Sequence, residues 1–343
     1  MKAVVYKGNG QVTLEKRPMP VLQDERDAII QVTLTTICSS DIHIKHGAVP
    51  RAVPGTILGH EFVGRVVETG KAVKKVKPGD RVAVNVETFC GECFFCKRGF
   101  VNNCIDEHGG WALGCRIDGG QAEYVRIPYA DNGLTVIPDN VTEEQALFNG
   151  DILSTGYWAA KIGELHPADT VAVIGAGPTG LCTMMCARLY TPAKIIAIDT
   201  DEYRLALAKE KGIADITLVP GRDRIEEAVL QASGGRGADT VFEVAGGKDT
   251  FQTAWKIARP NAVVVIVAMY EEPQMLPLPD MYGKNLIFKT GGVDGSYCQE
   301  IMDLTACGKL DAGFLITHRC RLDEIMEAYD IFENKKDHVI KYA

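Results

Sequence analysis

The sequence predicts an α/β protein in which a β-rich domain is followed by a doubly wound parallel sheet. Three observations carry that prediction. Short strand-like runs fill the first 150 residues, strands and helices alternate from Ser154 to about residue 290, and a glycine-rich turn sits where a strand meets a helix. The 343 residues suit two domains of ordinary size. An apolar content of 46%, a charged content of 24% and a mean hydropathy of −0.01 describe a globular chain able to bury a large interior. The net charge of −8 gives no electrostatic reason to bind nucleic acid or an anionic membrane. No apolar run approaches the ~20 residues of a membrane span. The opening Met1-Lys2-Ala3-Val4-Val5-Tyr6 alternates like a strand and lacks the apolar stretch of a signal peptide, which predicts the cytoplasm.

In the first domain, Val4, Thr13, Ile29–Leu34, Phe62–Glu68, Arg81–Val86 and Glu123–Ile127 lie in β-rich runs. Turns such as Lys77-Pro78-Gly79-Asp80 separate them, a pattern that predicts a barrel-like domain. Then come a strand at Thr170–Ile174, a helix at Gly180–Leu189, a strand at Lys194–Asp199 and a helix at Tyr203–Lys211. Thr240–Val244, Ala262–Ala268 and Leu286–Thr290 read as later strands. Helices at Gln299–Gly308 and Leu322–Asn334 and a strand at Val339–Tyr342 close the chain. The expected divisions are 1–153, 154–291 and 292–343, the last segment returning to the first domain.

Gly175, Gly177 and Gly180 form G-x-G-x-x-G, with Pro178 and Thr179 inside it. The first glycine permits a tight turn, the second lets backbone approach a pyrophosphate, and the third allows close helix–strand packing. Free N–H groups at the helix start attract phosphate. Asp199 ends the next strand, where a carboxylate accepts a bond from a ribose 2′-hydroxyl and repels a 2′-phosphate. The expected cofactor is therefore NAD, with NADP less favoured. Arg204 lies near enough in sequence to hold a phosphate, although a solvated helix charge is its plainer reading.

Cys90, Cys93, Cys96 and Cys104 are spaced C-x2-C-x2-C-x7-C, which suits four thiolates on one ion. Zinc in a closed structural site fits best, and an iron–sulfur cluster uses similar ligands. Cys115, Cys182, Cys186, Cys298, Cys307 and Cys320 read as ordinary buried or helical residues.

Three further pieces are individually unremarkable: Cys38-Ser39-Ser40-Asp41-Ile42-His43, Gly59-His60-Glu61 and Gly150-Asp151. In this order, with the cysteine cluster and the glycine loop, they resemble the zinc-containing medium-chain dehydrogenase/reductase family. Lys77-Pro78-Gly79-Asp80-Arg81-Val82 and Gly120-Gln121-Ala122-Glu123-Tyr124-Val125 extend the match, which covers essentially the whole chain. Ser39 departs from the glycine common after the first ligand.

That resemblance implies a Rossmann domain inserted into a GroES-like catalytic domain. It implies a catalytic zinc on Cys38, His60 and Asp151, with Glu61 joining or flanking the ligands, and a second, structural zinc. Ser40 would hydrogen-bond the reacting oxygen and pass a proton by way of the nicotinamide ribose to His43. Trp111 would line the substrate pocket, and Asp41 reads as structural. The implied activity is an alcohol dehydrogenase of the secondary-alcohol or formaldehyde-dehydrogenase-like branch, exchanging hydride between NAD(H) and a small alcohol or ketone. Polyol or diol, threonine, formaldehyde and sterol substrates are alternatives within the family. A zinc-free quinone reductase relative would lack Cys38, His60 and Asp151 as a set. A homo-oligomer, dimer or tetramer, is the family default.

Overall fold

Successive side chains leave a strand on opposite faces, and Lys2–Gly8, Ala28–Thr35 and Phe62–Thr69 each bury a run of consecutive residues, so core packs against both of their faces there. The computed structural model describes residues 1–343. It groups them into two units, Met1–Ser154 with Asp294–Ala343, and Thr155–Val293.

In the first unit, β1 (Lys2–Gly8) and β2 (Gln11–Lys16) form an antiparallel pair. The main sheet uses β3 (Ala28–Thr35), β4 (Phe62–Thr69) and β5 (Arg81–Val84). A small ribbon, β6 (Glu87–Thr88) with β7 (Gly110–Trp111), flanks the four-cysteine loop. With β8 (Tyr124–Ile127) and β9 (Leu134–Val136), the five-stranded antiparallel sheet runs β8-β3-β4-β5-β9. Its inner face packs Ile30, Phe62, Val66, Val82, Val125 and Ile127, all almost fully buried. Each such side chain contributes about 1.5–3 kcal/mol relative to exposure.

In the second unit the central strands are covered on both faces along their whole length. Val171–Ile174 and Ile195–Ile198 are unbroken buried apolar runs, as parallel strands require. β10 (Thr170–Ile174), β11 (Lys194–Ile198), β12 (Ile216–Leu218), β13 (Ala238–Glu243), β14 (Ala258–Ile266) and β15 (Ile287–Thr290) form one parallel sheet. The strand order is β12-β11-β10-β13-β14-β15. Counted from β10 this is 3-2-1-4-5-6, the doubly wound order whose switch point lies between β10 and β13.

The tail adds β16 (Ile316–His318) and β17 (Lys341–Tyr342) to the first unit. Two expectations about it are corrected. The closing strand is only Lys341–Tyr342, because Lys335, Asp337 and His338 adopt positive φ and a 3-10 turn occupies Lys336–His338. The helix predicted from Leu322 opens as a 3-10 turn and becomes α-helical at Ile325–Glu333. Among the leftover cysteines, Cys115, Cys182, Cys186 and Cys298 are buried, whereas Cys307 is exposed at a helix C-cap. Cys320 lies half-buried in a loop, neither helical nor fully buried.

Candidate active site and metal centres

The Cys90–Cys104 loop gathers its four sulfurs within 4.8 Å of one another. Cys93 and Cys96 are 3.4 Å apart, and Cys90 and Cys104 are 3.6 Å apart. Tetrahedral coordination with bonds near 2.3 Å requires edges of about 3.8 Å, so the sulfurs suit a zinc ion. Backbone N–H groups of Cys90 and Glu92 donate to sulfurs of Cys104 and Cys90. Backbone N–H groups of Cys96 and Ile105 pull the Cys93 thiol down to about 6. Burial and the adjacent Cys93 sulfur push Cys96 up. Four thiols packed this closely are stable as thiolates only around a cation.

The second cluster is drawn from three segments. Cys38 precedes the helix Ser39–Lys45, His60 precedes β4, and Asp151 precedes the helix Ile152–Ile162. Their ligand atoms also lie within 4.8 Å of one another. His60 Nε2 is 3.3 Å from Asp151 Oδ2, and Cys38 Sγ is 4.0 Å from the same oxygen. Edges of about 3.3–3.6 Å are expected around a tetrahedral ion with N, O and S ligands. A glycine is required beside His60: at Gly59, φ is +93° and a Cβ would stand 2.5 Å from Gln121 N.

The surroundings orient these ligands. Asp41 Oδ2 accepts from Cys38 N at 2.9 Å and from Gln121 Nε2 at 3.1 Å. Its Oδ1 faces His60 Nδ1 at 3.4 Å, without hydrogen-bond alignment. Tyr329 donates to Gln121 Oε1 at 2.7 Å, so a buried hydrogen-bonded chain runs from Tyr329 through Gln121 to Asp41, which stands behind His60. A carboxylate behind a histidine fixes its tautomer and leaves Nε2 free for a metal. Burial pushes the His60 imidazole down, but Asp41 and Asp151 outweigh it and raise the value well above normal. A divalent cation would reverse that balance.

Glu61 stands apart from the three ligands. Its Oε2 pairs with Lys341, and both side chains are fully buried. Burial raises the Glu61 carboxyl to about 7, against the nearby ammonium of Lys341. Ser40 Oγ is 3.9 Å from Cys38 Sγ, and His43 is half-buried one helical turn on. The Trp111 ring meets His60 edge-on with centroids 5.6 Å apart, and Arg51 covers its face at 4.9 Å.

In the second unit the glycine turn joins β10 to the helix Pro178–Arg188, with Gly177 as N-cap and Pro178 in the first turn. Gly175 has φ +105°, and a Cβ at Gly180 would strike the Gly175 carbonyl oxygen at 1.9 Å. A Cβ at Gly177 would stand 3.6 Å from Arg204 Nη1, its nearest neighbour, so Arg204 borders the loop. Arg204 also pairs with Asp201 at 3.3 Å. Asp199 accepts from Ala176 N at 2.5 Å and from Asp201 N at 2.8 Å, which fixes its carboxylate beside the loop. Thr179 lies half-exposed in the first turn of that helix.

Sequence reasoning read Asp41 as structural, and the structure makes it a support at the N3 position of a capping box, three residues after Cys38. The groups behind it were missed. Gln121 lies inside the Gly120–Val125 motif, where nothing local gives it a role. Lys341, 280 residues from its partner, carried no signal.

Comparison with known proteins agrees with this arrangement. The profile of the alcohol dehydrogenase GroES-like domain matches residues 24–139, and that of the zinc-binding dehydrogenases matches residues 178–308. An alcohol dehydrogenase of Cupriavidus necator is 34% identical, the match covering 100% of this chain and 98% of that protein. A zinc-type alcohol dehydrogenase B of Aspergillus flavus is 35% identical over 98% of this chain and 79% of its own. The solved alcohol dehydrogenase of Thermus sp. ATN1 superposes with a TM-score of 0.92 at 34% identity, covering 100% of this chain and 99% of that one. With both domain profiles matched and relatives of this similarity along its full length, the chain belongs to the zinc-dependent medium-chain alcohol dehydrogenases.

Proposed function

We propose that this dehydrogenase oxidises a small secondary alcohol, or reduces the matching ketone, with NAD(H) and two zinc ions. The observation that carries the reading is the meeting of Cys38, His60 and Asp151 from three distant segments. One thiolate, one carboxylate and one neutral imidazole balance a divalent charge and leave a fourth position for the reacting oxygen. When bound, zinc supplies Lewis acidity and the nicotinamide accepts or donates the hydride. Asp41, held by Cys38 N and Gln121, keeps the His60 proton on Nδ1. Glu61 stays outside the ligand set because Lys341 neutralises it. Ser40 takes the alcohol proton and His43 passes it to solvent. Trp111 forms an apolar wall beside His60. The Cys90–Cys104 ion has four protein ligands and serves stability.

Gly175, Gly177 and Gly180, with the helix start at Pro178 and Thr179, hold the pyrophosphate, and Arg204 borders it. The Asp199 carboxylate supports NAD over NADP. Exposed Met275, Leu278, Tyr282 and Ile287 near the edge strand β15 support a homo-oligomer. Eleven free cysteines suit the reducing cytoplasm, and no helix is long and apolar enough to cross a membrane. A spectrophotometric panel of alcohols and ketones with NADH and NADPH tests the reading. Turnover of secondary alcohols with strong preference for NAD(H) is expected, and activity confined to NADP(H) would refute the cofactor assignment.

A further inference from the structure

We infer that Tyr329 and Glu333, on one face of the helix Ile325–Glu333, are positioning residues for the catalytic ion, bracing the short helix Ser39–Lys45 at both ends. The inference rests on the dehydrogenase reading above and gives the C-terminal helix a part in it.

The helix Ser39–Lys45 starts directly after the ligand Cys38, its N-cap, and carries Asp41 at N3. Its seven residues make two turns, and helices shorter than about 12 residues do not hold themselves. The support comes from far along the chain. Tyr329 and Glu333 are four residues apart in one helix, so their side chains leave the same face. Tyr329 donates to Gln121 Oε1 at 2.7 Å. Gln121 Nε2 in turn donates to Asp41 Oδ2 at 3.1 Å and to Thr36 O at 3.2 Å. Glu333 pairs with Lys45 at 2.5 Å and with His46 beside it. One helix face thus reaches the first turn of Ser39–Lys45 through Gln121 and its last residue directly.

The Gln121 amide has one orientation that satisfies it. Asp41 Oδ2 and Thr36 O can only accept, so Nε2 faces them and Oε1 needs a donor. Tyr329 is that donor. Burial and the Asp41 charge raise its hydroxyl well above the usual phenol range, so it keeps its proton. Gln121 is fully buried and Tyr329 nearly so, and a phenylalanine at 329 would leave Oε1 unmatched. The far end of this chain is the metal site. Asp41 Oδ1 and His60 Nδ1 are both buried without a hydrogen-bond partner and stand 3.4 Å apart. A small turn of the Asp41 carboxylate decides whether they bond, and that bond orients the ligand ring.

The test follows loss of each zinc ion from the zinc-loaded enzyme into excess dipicolinate, with Cys38→Ser marking release of the thiol-loop ion alone. Tyr329→Phe should release the Cys38 ion about tenfold faster than wild type, the low end for groups behind a metal ligand. Glu333→Gln should release it about threefold faster, as a partly exposed ion pair allows. The Cys90–Cys104 ion should leave both variants at its wild-type rate. The visible bands of cobalt(II) at the Cys38 site should shift in Tyr329→Phe, because the ring orientation alters the ligand field. Both ions lie in one unit, so general loosening of the fold would speed both alike. That outcome, or unchanged release of the Cys38 ion in both variants, overturns the inference. If Tyr329→Phe does not fold, Glu333→Gln decides by the same measure. A wild type that releases only the thiol-loop ion overturns the two-ion reading beneath it.

Discussion

Two candidate metal-binding clusters in one unit meet the same geometric condition from opposite starting points. The four sulfurs of Cys90–Cys104 come from one short loop, and three of them are only half-buried. Cys38, His60 and Asp151 come from three distant segments and are backed by a buried shell of Asp41, Gln121, Glu61 and Lys341. A contiguous loop brings its ligand atoms together by local turns, so an ion held there would contribute stability and have a closed shell. A dispersed set requires the whole fold to hold it, and its missing fourth ligand is where chemistry can occur.

The comparison breaks most sharply at Cys38. Cys38→Ser should lower kcat by about three orders of magnitude, the several kcal/mol that Lewis-acid catalysis supplies, while NADH binding and melting temperature stay near wild type. Near-normal turnover in stopped-flow assays would move the chemistry elsewhere.

Next in size is the buried pair behind that site. Lys341→Met leaves Glu61 uncompensated and should cost about 3–5 kcal/mol in denaturant unfolding. Adding Glu61→Gln should restore most of the loss. A Lys341→Met protein of wild-type stability would mean the pair is not buried as described.

The glycine loop is a second contiguous site and should respond through binding alone. Asp199→Ala should weaken NAD by about 1.5–3 kcal/mol, the worth of a charge-assisted hydrogen bond, and NADP far less. Equal weakening of both, by fluorescence titration, would contradict the role of its carboxylate.

The smallest effect on turnover is expected at the thiol loop. Cys93→Ser should lower the melting temperature by several degrees while the folded enzyme keeps kcat near wild type. A variant as stable as wild type but inactive would invert the two roles.

The same contrast explains what the sequence disclosed. Thr170–Ile174 was legible as β10 to the residue, because strands covered on both faces read as unbroken apolar runs. C-x2-C steps and G-x-G-x-x-G are local and announce themselves. Cys38, His60 and Asp151 became a set only through family resemblance, since no spacing links them. β12 and the helix Ile225–Ala232 went unread, the strand too short and the helix too polar on one face to stand out. Lys341 is the clearest silence: its meaning lies in Glu61, which only the completed fold brings near.

The most direct test of these two metal roles is zinc counting by mass spectrometry on wild type, Cys38→Ser and Cys93→Ser, purified without chelator. About two ions per wild-type chain and about one in each variant are predicted, with alcohol oxidation surviving only where the Cys38 ion remains. A wild type holding a single ion at the thiol loop, or a Cys38→Ser protein retaining both, would contradict it.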